Sequence, residues 1–95
     1  MLDGIWWVYK PDGTYLGLCE TRMGNEILIV PQGLLDTIRE GDKLHMDECY
    51  SQKAWEVLVG NVREGHQNEF YISKLSDRPA RYATRKITLS IRTVC

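Results

Sequence analysis

Long apolar runs are missing from this chain. None approaches the ~20 residues that a membrane-spanning helix needs. The first residues, Met-Leu-Asp-Gly-Ile-Trp-Trp, have no basic leader and no extended apolar stretch, so no secretory signal is expected. The matching expectation is a cytoplasmic setting, in a cell or in an infected host, with no membrane partner. Closely spaced cysteine pairs are missing too. Cys19, Cys49 and Cys95 are odd in number and far apart. Disulfide frameworks and structural zinc sites instead use even sets or close pairs. Glycine-rich phosphate loops are absent, because the eight glycines fall singly. Nor is there a surplus of one charge sign. A net charge of −1 argues against a protein that coats nucleic acid by charge alone.

What is present is ordinary for a globular domain. Apolar residues make up 43% and charged residues 26% of 95, which excludes disorder as a description of the whole chain. That length gives one domain, 1–95, with one core. The charge is unevenly placed. Residues 1–48 hold nine acids and four bases, a balance of −5, and residues 49–95 hold eight bases and four acids, a balance of +4. An acidic half and a basic half either neutralise each other across the fold or polarise its surface.

The dominant period along the chain is two. Residues 5–10, Ile-Trp-Trp-Val-Tyr-Lys, are aromatic and β-branched, as strands are. Pro11-Asp12-Gly13 supplies a tight turn, because proline presets φ and glycine accepts a positive one. Residues 14–21 return as the hairpin partner. Gly24-Asn25 makes a second turn, and 26–30 reads as a buried strand. Strands resume at 43–50, 55–62, 70–75 and 85–94. Gly17 and Gly60 fall inside strand patterns, where glycine marks bulges or sharp bends. Between Pro31 and Gly41, Leu34, Leu35 and Ile38 have the spacing of one helical face, which predicts a short helix near 31–40. About seven short strands with one helix predict an all-β barrel or sandwich of OB-like or SH3-like type. Ile29, Leu44, Leu58, Leu89 and Ile91 are expected to share its core.

Residues 27–46, Ile-Leu-Ile-Val-Pro through Gly-Asp-Lys-Leu-His-Met, resemble the strand–proline–helix–Gly-Asp–strand core of AbrB-type swapped-hairpin DNA-binding domains. That likeness would imply a small DNA-binding dimer. The stretch is acidic where such domains place bases on DNA, so the assignment is not adopted.

Three clusters bear on function. His45, Asp47 and Cys49 share one face of a predicted strand, at successive spacings of about 7 Å. All three are zinc-ligand types, but a flat strand spreads them along a line, so no metal, no cofactor and no catalytic cysteine is assigned. Trp6 and Trp7 point to opposite faces of one strand, so one of them is a candidate exposed anchor or base-stacking platform. Arg-Pro-Ala-Arg-Tyr-Ala-Thr-Arg-Lys, residues 78–86, sets Arg78, Arg81, Arg85 and Lys86 around Tyr82. Arginine forks match phosphate and carboxylate, and tyrosine stacks on bases. These features predict a non-enzymatic binding protein acting on a protein partner, an interaction module or inhibitor. Homo-oligomerisation through a strand edge fits the same picture. The alternative is a nucleic-acid- or nucleotide-binding barrel that uses the basic loop and exposed aromatics.

Overall fold

A computed structural model describes residues 2–80. The strand expected at 85–94 lies outside the described residues, and with it Leu89 and Ile91. Arg81, Tyr82, Arg85 and Lys86 lie outside them as well.

Six strands are described: β1 (Leu2–Tyr9), β2 (Tyr15–Arg22), β3 (Ile27–Ile29), β4 (Lys43–Glu48), β5 (Ala54–Arg63) and β6 (His66–Asp77). They close into a barrel in the order β1-β2-β3-β6-β5-β4. Every pairing is antiparallel. The chain thus forms two three-stranded meanders, closed on each other by β1–β4 and β3–β6. The small all-β barrel expected from the sequence is what forms, and it is consistent with the OB-like or SH3-like kind.

The turns follow from local chemistry. Gly13 takes a φ of 99°, and its N–H donates to Lys10 O over 2.9 Å. Asp12 Oδ1 accepts from the Thr14 N–H at 2.9 Å, which fixes the β1–β2 turn as an Asx-type cap. The β2–β3 turn runs through three successive positive-φ residues, Met23, Gly24 and Asn25. Asp3 holds it from the next strand, with Oδ2 accepting from the Gly24 N–H at 2.6 Å.

Alternation places one face of each strand inside. Trp6, Val8, Cys19, Leu28, Val30, Leu44, Met46, Val57, Val59 and Ile72 build the core, together with Ile38 from the connecting loop. Fully burying such a side chain is worth roughly 1.5–3 kcal/mol. Trp6 packs on Trp55 with centroids 4.8 Å apart. Its indole N–H donates to Thr21 Oγ1 at 2.9 Å, and that hydroxyl donates to Asn25 Oδ1 at 2.6 Å. The polar groups of Trp6, Thr21 and Asn25 are therefore satisfied in series.

Three expectations need correction. The helix near 31–40 is a single 3-10 turn, Gln32–Leu34. Gly33 sits in its middle, where glycine costs about 1 kcal/mol relative to alanine in a helix. The Thr37 hydroxyl also donates back to Leu34 O at 2.8 Å, and such local bonds compete with helix propagation. Leu58 is not core. It lies between the inward Val57 and Val59 and faces out, 37% exposed. Ile29 is only half-buried, on the outer face of β3.

Gly17 and Gly60 stand where the sequence pattern puts bends. The β1–β2 register shifts beside Gly17, between the pairs Val8–Gly17 and Tyr9–Tyr15. The β5–β6 register shifts across Gly60, between Val59 and Val62. Gly17 has a φ of 156°. A Cβ there would lie 2.6 Å from Leu34 Cδ1, so its missing side chain seats the loop that follows β3.

Candidate functional site

Of the binding residues singled out from sequence, Trp6, Trp7 and Arg78 lie among the described residues, and none of the three is openly exposed. Trp6 is 1% and Trp7 6% exposed, so neither is an open platform. Trp6 belongs to the core. Trp7 joins Tyr9 and Cys49 in a second buried cluster, with Ile5 packed against it. β1 is thus buried on both faces, the outcome that puts both tryptophans out of reach. Arg78 is not a free cation either. Its Nη1 lies 2.6 Å from Asp47 Oδ1, and the aspartate side chain is fully buried.

The strand row His45–Asp47–Cys49 does not gather into a site. His45 Nε2 faces Glu56 Oε2 at 3.5 Å, Asp47 holds Arg78, and Cys49 is buried and disulfide-bonded. The row is covered, not a solvent-facing polar edge. Cys19 is free and buried. Burial, and then the Glu20 carboxylate, pushes its thiol up from 9.0 to about 12. A thiol held neutral in this way is a poor nucleophile and a poor metal ligand.

The surface feature that departs most from barrel patterning lies on the outer face of β1, β2 and β3. Outer positions of an antiparallel barrel normally carry polar residues. Here Ile5 pairs with Glu20, and Glu20 pairs with Ile29, so the three form one row across three strands. Leu18, two residues along β2, shares that face and is 36% exposed. Pro31 continues from Ile29. Tyr50 follows β4 and is brought alongside Ile5, because the Cys49 N–H donates to Ile5 O at 2.9 Å. Together with Cys19 and Glu20, these residues line an apolar groove of about 470 Å³. Tyr50 is 62% exposed at its edge.

Among the described residues Glu20 is the one charge in that lining, and it is solvent-exposed. Among the described residues no cation lies within ion-pair distance of it. No protein-family model, curated protein or solved structure matches this chain.

Sequence reasoning missed this groove. The signal was in β2, where Leu16, Leu18 and Cys19 put apolar residues on both faces of one strand. Tyr50 carried no signal, because its place depends on the β1–β4 register.

Proposed function

We propose that this barrel is a non-enzymatic binding module that docks on a protein partner through the groove of Ile5, Leu18, Ile29, Pro31 and Tyr50. The observation that carries this reading is an apolar groove on the outer face of a closed barrel, with an exposed tyrosine at its edge and, in its lining, the Glu20 carboxylate, which meets no cation among the described residues. Tyrosine is enriched among the residues that dominate binding energy, and contiguous exposed apolar surface marks interaction sites. The partner is a segment that offers an apolar side chain to the groove and a lysine or arginine to Glu20. All the groove residues lie in the first 50, the acidic part of the chain, which favours a basic partner.

Strand addition is disfavoured as the docking mode. β6 runs past β3 from Ser73 to Asp77, but that stretch carries Lys74, Asp77 and a register shift against β5. Charge and bulges are the devices that blunt an open edge.

Capture from an extract of the native host tests the groove. Wild-type protein is compared with Leu18→Asp and Tyr50→Ala variants of matched stability. The reading requires a captured protein that both variants lose, by about 30-fold or more in affinity, the scale of a hot-spot side chain. A protein retained equally by wild type and both variants would refute it. A change in sedimentation with concentration, abolished by Leu18→Asp, would make the partner a second copy.

A second reading rests on Trp55. Its half-buried ring has Lys53 Nζ at 5.5 Å and Lys74 Nζ at 5.2 Å from the centroid. An aromatic face beside cations is the makeup of a single-strand nucleic-acid platform. This reading has lost Trp6, Trp7 and Arg78 as contributors. An oligonucleotide titration separates the two, because binding that falls steeply with salt and vanishes in Trp55→Ala supports nucleic acid.

A further inference from the structure

A second cleft, separate from the apolar groove, lies where the β1–β2 turn meets the loop that leads into β4. It measures about 520 Å³ and is lined by Lys10, Pro11, Asp36, Thr37, Arg39, Asp42, Lys43 and Leu44. Three cations from three chain segments, Lys10, Arg39 and Lys43, face one space. Each is solvent-exposed. Among the described residues none of the three has a carboxylate within 4 Å, although two aspartates share the lining.

The reason lies in the loop. Asp42 is turned onto the backbone, with Oδ2 accepting from the Arg39 N–H at 2.9 Å. Asp36 is exposed and reaches no cation among the described residues. The walls are fixed in place. Ile38 is buried in the core at 1% exposure, the Asp42 N–H donates to Arg39 O at 3.1 Å, and the Gly41 N–H donates to Val59 O at 2.8 Å. The Val59 N–H donates back to Asp42 O at 2.8 Å. The Lys10 backbone is pinned by its N–H to Thr14 O at 2.8 Å. Three like charges held around one space repel each other, and an anion seated between them relieves that repulsion.

We infer that this cleft binds a small phosphomonoester. A doubly charged phosphate suits three cations better than a single carboxylate does. The arginine fork can take two of its oxygens, and the lysines act as point charges. The volume falls within the ~300–1,000 Å³ range of small-molecule sites and exceeds what bare phosphate needs. The remaining lining is suited to hydroxyl groups on the ligand's body: the Asp36 carboxylate accepts hydrogen bonds, and Thr37 Oγ1 keeps acceptor capacity. A phosphorylated sugar or nucleoside carries both parts. This inference stands apart from the docking groove, and neither depends on the other.

The test is an NMR titration of the isotopically labelled full chain with adenosine monophosphate, with inorganic phosphate and adenosine run alongside. Adenosine monophosphate and phosphate should shift the amides of Lys10, Thr37, Arg39 and Lys43 along saturating curves, and adenosine should leave them in place. The double variant Lys10→Gln, Lys43→Gln should lose at least tenfold in affinity for both anions. Arg22→Gln, which removes an exposed cation from β2 outside the cleft lining, should bind as wild type does. If the double variant melts abnormally, Arg39→Gln alone should show the loss that Arg22→Gln does not. Shifts that do not saturate, shifts spread over every exposed cation, or equal losses in Arg39→Gln and Arg22→Gln would overturn the site.

Discussion

Arg78 Nη1 lies 2.6 Å from Asp47 Oδ1, between an arginine side chain 12% exposed and an aspartate side chain that is fully buried. The Arg78 N–H also donates to Ala54 O at 3.0 Å. The residue just past β6 is thereby fastened to β4 and to the start of β5. A residue that opens a basic run in the sequence is a structural pin in the fold.

Breaking that pin should destabilise the barrel. Removing one member of a buried pair typically costs about 3–5 kcal/mol. Arg78→Ala should therefore shift urea unfolding by roughly 3 kcal/mol, and Arg78→Lys should recover only part of it, because an ammonium cannot reproduce the guanidinium fork. A loss under ~0.5 kcal/mol, the range of surface substitutions, would mean the pair is solvated.

Cys19 gives a pH signature. Its thiol is raised from 9.0 to about 12, by burial first and by Glu20 second. The folded protein thus holds this proton more tightly than the unfolded chain does. The stability linked to it is complete below about pH 9 and declines as pH climbs toward 12. Cys19→Ala should flatten that alkaline decline in denaturation curves. At pH 8 the native thiol should alkylate far more slowly than in denaturant, because reactivity follows the thiolate fraction and access to the sulfur. Equal rates in the two conditions would show that the thiol is exposed.

Core and surface leucines should separate cleanly. Leu44 is 1% exposed and Leu58 is 37% exposed, although both were expected inside. Leu44→Ala should cost about 2–5 kcal/mol through lost transfer and the cavity left behind. Leu58→Ala should fall near the ~0.5 kcal/mol of surface changes. Similar costs at both positions would mean that the β5 register is wrong.

Gly17 should resist substitution. An alanine there would carry a strained backbone and a Cβ 2.6 Å from Leu34 Cδ1. Backbone strain of this kind costs about 1–3 kcal/mol. Leu34→Ala in the Gly17→Ala background should restore part of the loss, since it removes the steric half and leaves the conformational half. No recovery would place the whole cost in the backbone.

The barrel itself was legible because its signals are local. Pro11-Asp12-Gly13 encodes a turn, and the alternation of Leu44 with Met46 encodes an inward face. The exposed site was not legible, because burial on a barrel is set by register and by what covers each face. One of Trp6 and Trp7 looked free by alternation, yet the outer face of β1 is closed by a second cluster. Leu58 looked buried because a run of apolar residues hides its own parity. Arg78 looked like a handle because its partner, Asp47, sits on a strand 31 residues away in sequence. The groove arises only when the β1–β4 pairing brings Tyr50 beside Ile5.

Site-specific photo-crosslinking bears most directly on that groove. A benzoylphenylalanine placed at Tyr50 is compared with one placed at Glu64, an exposed residue at the tip of the β5–β6 hairpin. The proteins are exposed to light in an extract of the native host. A docking groove predicts a discrete crosslinked protein from position 50, lost when Leu18→Asp is added, and none from position 64. Crosslinks from position 64 alone, or from position 50 undiminished by Leu18→Asp, would contradict it.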